Sequence, residues 1–334
     1  MNMAEKNYKD QIVDFVKSRG QTRVDDIWRE LKLSRVQIHK YLKQLLHEGR
    51  IARVGRPPLV FYLYLNGDLA TAENIPEIPK KIRAVIDETY LYVTPLGEIL
   101  TGRDGLARWV RDIKEENHLV QLAGEYVRTR SLADSYMNRF GYINATERIK
   151  SIFPDTSLDR LYYLDFYSLP KFGKTKLGQL VLYAKQSQQI NLIEEIIPQF
   201  RRVVKDLIKR YKINAVGFIP PTIPRKHQFQ KEIEKQMALK LPKIELVKAY
   251  IGDVPVAQKT LSKLEDRITN ARGSIFIKDE TKHFKNILLI DDAVGSGATL
   301  NETAFKLKQS RVARKIIGAA IVGSYKGFDV IKEI

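Results

Sequence analysis

Residues 286–310 read NILLIDDAVGSGATLNETAFKLKQS. Four consecutive apolar residues, 287–290, are the mark of a strand buried on both faces, as in a parallel sheet. Two acids, Asp291 and Asp292, follow at once, then a short loop of Gly, Ser and Thr, then an amphipathic helical pattern. At the carboxyl end of a parallel strand such a loop meets the amino end of the next helix, where unpaired backbone N–H groups and the helix dipole favour a phosphate. Gly295 and Gly297 let the backbone approach closely and curl, and the hydroxyls of Ser296 and Thr299 add donors. No Lys follows the second glycine and no GxGxxG is present, which excludes a Walker loop and a dinucleotide fingerprint. What remains is a monophosphate cradle beside two carboxylates. Their natural partners are the vicinal hydroxyls of a ribose and, directly or through water, Mg²⁺.

Four apolar residues, two acids and a loop ending in Gly-Ala-Thr resemble the phosphoribosyl pyrophosphate (PRPP) motif of the type I phosphoribosyltransferases. The resemblance implies that Asp291 and Asp292 bind the ribose hydroxyls and hold Mg²⁺ indirectly, through PRPP and water. It implies that Ala293, Val294, Gly295, Ser296, Gly297, Ala298 and Thr299 hold the 5′-phosphate. Upstream, NAVGFIPPTIPRKHQFQKEIEKQMALKL reads as strand, proline-containing loop and helix, and AQKTLSKLEDRITNARGSIFI carries Arg267, Asn270 and Arg272 ahead of another strand. Both are similar to the ComF-type branch of that family, over about residues 165–322. By that similarity Pro221, Thr222, Arg225 and Lys226 receive pyrophosphate. Gln258, Lys259, Arg267, Asn270 and Arg272 belong to a mobile loop over the reacting centre, and Arg225, Lys226 and Arg267 act as electrostatic clamps. The cysteine-rich zinc segment that often precedes ComF-type domains is absent, because the chain has no cysteine.

At the other end of the chain, Ile12, Phe15 and Val16 fall at helical spacing, and Val24, Ile27, Trp28 and Leu31 mark a second short helix. The stretch LKLSRVQIHKYLKQLLHEGRI then predicts a third, capped by Ser34, ended by Gly49, with Ile38, Leu42 and Leu45 inward. Two strands joined by GRPP follow. Over residues 8–65 this resembles the winged helix-turn-helix family. The resemblance makes residues 34–47 a recognition helix, Gln37 an adenine reader and Arg35 a guanine or phosphate contact. Lys40, Lys43, Arg53 and Arg56 would touch phosphates, which sets affinity and not sequence.

Charge agrees with polyanion partners at both ends. The net charge of +18 divides into +6 over residues 1–65, −2 over 66–160 and +14 over 161–334. The middle stretch opens on a polar, proline-containing linker, NGDLATAENIPEIPKK. It continues with two helical stripes, Leu106, Trp109, Val110 and Ile113, then Leu119, Leu122, Tyr126 and Val127. No metal-ligand spacing appears there, and its role is unread. The 334 residues are therefore expected to form an α/β protein in three parts. These are a winged helix over 1–65, a linker and helical region over 66–160, and a type I phosphoribosyltransferase fold with a mostly parallel, helix-flanked sheet over 161–334.

The absence of cysteine removes disulfides and thiolate zinc, fits a reducing compartment, and combines with the lack of a long apolar run to predict a cytoplasmic protein outside the membrane. Three functions compete on the sequence. One is a phosphoribosyltransferase that uses PRPP and Mg²⁺ and sits on DNA. A second is a PRPP-sensing transcriptional regulator of the purine-repressor type, without catalysis. A third is a nucleotide-targeting effector of a prokaryotic defence system such as a retron, with a protein or nucleoprotein partner. A homo-oligomer fits any of the three.

Overall fold

The computed structural model describes residues 3–64, 76–222, 228–250, 252, 254, 256 and 258–328. Arg225, Lys226 and most of the expected linker lie outside the described residues. The chain divides into two compact units, Met1–Pro76 and Glu77–Ile334.

The first unit contains α1 (Met3–Arg19), α2 (Val24–Leu31) and α3 (Arg35–His47). Its sheet is antiparallel in the order β1-β3-β2, where β1 is Gln21–Thr22, β2 Ile51–Arg56 and β3 Leu59–Tyr64. Ile12, Val16, Ile27, Ile38, Leu42, Leu45 and Ile51 form its fully buried centre. Ser34 caps α3 through a reciprocal capping box with Gln37. Gly49, at φ +66°, supplies the left-handed residue that turns the chain from α3 into β2.

The second unit begins with α4 (Lys80–Thr89), the hairpin β4–β5 (Leu91–Val93, Ile99–Thr101), α5 (Gly102–Asp112) and α6 (Leu119–Asp134). Next come β6 (Ile143–Asn144), α7 (Thr146–Ile152), β7 (Arg160–Phe166), the short pair β8–β9 (Ser168–Leu169, Gly173–Lys174), α8 (Lys176–Ser187) and α9 (Ile190–Tyr211). The remainder is β10 (Ala215–Phe218), α10 (Phe229–Met237), β11 (Lys243–Ile244), β12 (Leu246–Lys248), α11 (Leu264–Ser274), β13 (Ile275–Ile277), β14 (Phe284–Val294), α12 (Ala298–Gln309) and β15 (Ala313–Gly323). The boundary placed at 160/161 from the sequence falls inside this unit.

Its main sheet runs β11-β10-β14-β15-β7-β6, with every neighbouring pair parallel except β6–β7. Residues 287–290 of β14 and most of β15 are fully buried, as strands covered on both faces must be. Helices α8, α9 and α10 contribute to the core over one face, and α12, α11 and α7 pack against strands and one another elsewhere. The apolar run is the middle of a longer strand: β14 continues in register with β15 through Asp291, Ala293 and Val294. The acids are therefore strand residues, and only 295–297 are loop before α12. The pairing partner extends the strand, and a single-sequence pattern cannot see it.

One buried ion pair binds the helical segment to this sheet. The Arg130 guanidinium of α6, 3% exposed, donates from Nη1 and Nη2 to the two carboxylate oxygens of Asp165 on β7 at 3.0 Å each. Its Nε also donates to Asp134 at 2.8 Å.

Candidate functional site

The carboxyl ends of β10 and β14 open onto a cleft of about 610 Å³. In open parallel sheets this is where ligands sit, because loops from adjacent strands diverge there and helix amino ends converge. Asp291 and Asp292 lie at its floor, and Gly295, Ser296, Gly297, Ala298 and Thr299 form one wall. Gly297 is the N-cap residue of α12 at φ +88°, and a Cβ there would come 2.1 Å from Ile149 Cδ1. Both its backbone angle and its surroundings require glycine. Gly295 is different: its φ is not positive, and a Cβ would meet only Arg267 Nη1, at 3.8 Å. Gly297 has no side chain with which to cap α12, and Ala298 N donates to Ser296 Oγ over a long 3.4 Å, so the amino end of the helix still favours an anion.

Pro221 and Thr222, beyond β10, line the same cleft, as do Gln258 and Arg267. Gln258 Nε2 donates to Arg267 O (2.9 Å) and to Asn270 Oδ1 (3.1 Å), and Arg267 Nε donates to Leu261 O (2.8 Å). From Leu264 onward, however, the segment read as a cover loop is helix α11, with Glu265 and Asp266 in its first turn and Arg272 in its last, a charge order that suits the helix dipole. Arg272 turns to Glu302 of α12 (2.8 Å) and does not line the cleft, and Asn270 reaches it only through Gln258. Lys259 lies in a short 3₁₀ turn, Gln258–Thr260.

Two cations that no motif announced complete the cleft. Lys185, near the end of α8, forms an ion pair with Asp292. Lys248, at the end of β12, donates to Thr222 Oγ1 (2.6 Å). Burial lowers the Lys248 pKa, against the opposing pull of Asp291 and Asp292. Asp291 is pushed up to about 7, first by burial and then by the neighbouring Asp292 carboxylate, with Lys185 and Lys248 opposing. Helical and strand periodicities place these lysines on elements without revealing that three separate elements meet.

Among the described residues no group of three or more His, Cys, Asp or Glu is placed to hold a metal. Among those residues the cleft offers two neighbouring carboxylates, Asp291 and Asp292, and no cage. That donor set suits a hard cation taking its remaining ligands from substrate oxygens and water.

In the first unit, Arg35, Gln37, Lys40, Lys43, Arg53 and Arg56 are all exposed. Gln37 Oε1 accepts from Ser34 N (3.1 Å) and Ser34 Oγ (2.9 Å), and Arg35 pairs with Asp25 (2.9 Å). The two residues expected from the sequence to contact bases are thus engaged within the unit.

No helix among the described residues is long and apolar enough to cross a membrane. No protein-family model matches the chain. No curated protein matches it either. A solved structure of an adenine phosphoribosyltransferase aligns with 44% of this chain and 78% of its own, at 12% identity and a TM-score of 0.28, a superposition too loose to fix fold or activity.

Proposed function

We propose that this cleft binds PRPP and that the chain is a phosphoribosyltransferase-type protein carrying a winged-helix DNA-binding unit. One observation carries the reading: an anion-suited loop, a pair of carboxylates and the cations Lys248 and Arg267, drawn from distant parts of the sequence, line a single cleft at the carboxyl ends of parallel strands. The 5′-phosphate takes the N–H groups of the 295–299 segment, and the ribose hydroxyls donate to Asp291 and Asp292. Thr222, Lys248 and Arg267 face the pyrophosphate. When the C1–O bond breaks, its electron pair leaves with pyrophosphate, and these donors stabilise the growing negative charge while the acceptor forms its bond to C1. Mg²⁺ bound with PRPP would supply further charge neutralisation, and Asp291 and Asp292 would hold it indirectly, through PRPP and water.

The test is thermal: PRPP with Mg²⁺ raises the melting temperature of the wild-type protein, and no shift at millimolar ligand removes the proposal. Affinity is expected to depend on pH. In the free protein Asp291 titrates near 7, and the sugar hydroxyls need its ionised form. A proton must leave for binding below that value, so affinity rises between pH 6 and 8 and levels off above. Asp292→Asn removes the like charge, so the midpoint moves to lower pH. Calorimetric titration at several pH values checks both, and a flat profile contradicts the assignment.

The exposed cations of α3 and the β2–β3 hairpin favour a second reading, in which PRPP occupancy regulates DNA binding without turnover. Lys43→Gln with Arg56→Gln is expected to weaken duplex binding across sequences. It should lower the slope of log affinity against log salt by roughly 0.9 for each phosphate no longer neutralised. Fluorescence anisotropy at graded KCl measures the slope, and an unchanged value excludes these residues. Pyrophosphate release on incubation with PRPP, Mg²⁺ and candidate bases decides for the enzyme. A PRPP-dependent change in DNA affinity without release decides for the regulator.

A further inference from the structure

Helix α7 belongs to the stretch whose role the sequence leaves unread, yet it lies directly behind the phosphate-type loop. Its Arg148 is 4% exposed, and its hydrogen bonds spread from one guanidinium to three partners. Nη2 donates to the Gly295 carbonyl (2.8 Å), Nη1 to the Tyr163 hydroxyl (3.0 Å) and Nε to the Lys326 carbonyl (2.8 Å). The next residue, Ile149, fills the space under Gly297 that a side chain there would need. Just beyond α7, Thr156 Oγ1 and the backbone N–H of Ser157 donate to the buried Asn301 Oδ1 of α12, at 3.0 and 2.8 Å.

We infer that Arg148 is the positioning residue of the 5′-phosphate loop: by fixing the Gly295 carbonyl it aims the Ser296 N–H into the cleft. A trans peptide is planar, and its C=O and following N–H point in opposite directions. The Gly295–Ser296 peptide is trans, because the cis peptide bond lies at Pro57-Pro58. With Gly295 O held to the buried guanidinium, the Ser296 N–H faces away from it, and Ser296 is one of the residues that line the cleft. A fork held at three corners cannot swing, so the loop is ordered before any anion arrives and ligand binding need not order it. The buried cation also stands behind the loop and adds to its positive field. The segment between the DNA-type unit and the sheet thus supplies part of the site itself.

This inference rests on the phosphate reading of the loop, and the experiment separates the two. Ribose 5-phosphate probes the loop, and pyrophosphate with Mg²⁺ probes the Thr222–Lys248–Arg267 side. In Arg148→Gln, ribose 5-phosphate is expected to bind at least about tenfold more weakly while pyrophosphate affinity stays at the wild-type value. Arg148→Lys keeps the charge, loses the fork, and should show the same selective loss if the former variant does not fold. Equal weakening of both ligands, as a merely structural role would produce, overturns the inference, and so does unchanged ribose 5-phosphate affinity. Wild-type protein that fails to bind ribose 5-phosphate at all overturns the phosphate reading of the loop, and the role of Arg148 with it.

Discussion

The double variant Asp291→Asn, Asp292→Asn is expected to show no melting-temperature rise with PRPP and Mg²⁺, where the wild type gains several degrees. At a ligand concentration of about one hundred times Kd, binding stabilises the native state by about 2.7 kcal/mol, and for a unit of this size each kcal/mol is worth roughly 2–4 °C. Carboxamides cannot accept charge-assisted hydrogen bonds from both ribose hydroxyls, and they offer no anionic oxygen to a hard cation. The loss of binding comes without loss of folding. The Asp291 pKa stands near 7 in the folded chain, well above the usual carboxylate range. Its proton therefore stabilises the native state at acid pH, and that contribution is lost as pH rises from about 4 through 7. Asp291→Asn alone has no such loss, so the ligand-free variant should melt at or above the wild-type temperature at pH 8, by differential scanning calorimetry. A marked destabilisation at pH 8, or a retained PRPP shift in the double variant, would show that the acids serve the fold and not a ligand.

Arg130→Met should be the most damaging single change away from the cleft. Removing the guanidinium leaves Asp165 buried without its bidentate partner, a loss of about 3–5 kcal/mol when one member of a buried pair is taken away. Burial already raises the Asp165 pKa, and Arg130 is the chief force holding it down. Without Arg130 it rises further, so the variant's deficit is largest at neutral and alkaline pH. The deficit shrinks as pH falls and the carboxyl is protonated. Urea denaturation at pH 5 and pH 8 measures this difference. A second change, Asp165→Leu, removes the stranded charge and should return much of the lost stability. A deficit independent of pH would mean that Arg130 acts mainly through the packing of its aliphatic stem.

Several parts of the molecule were readable without coordinates because they depend on neighbours in the chain. The run 287–290 is apolar at every position, which only a strand buried on both faces requires. Ser34 stands where it caps α3, and the glycines at 49 and 297 hold the positive φ that their turns need. The same local logic underestimated β14, because its last residues are held as strand by β15, a partner some thirty positions away. It also read α11 as part of a loop and directed Arg272 to a cleft from which Glu302 turns it away.

From its sequence alone, this chain determines the three helices and hairpin of its first unit, the buried strand at 287–290, and that an anion-suited turn follows two acids. The tertiary structure alone decides which cations attend that turn. Lys185, Lys248 and Arg148 come from a helix, a short strand and a segment with no legible role, and in the chain each is an ordinary basic residue. The reason is physical: secondary structure follows from periodic, short-range preferences, whereas a site is a convergence of side chains, and convergence is set by how the layers pack.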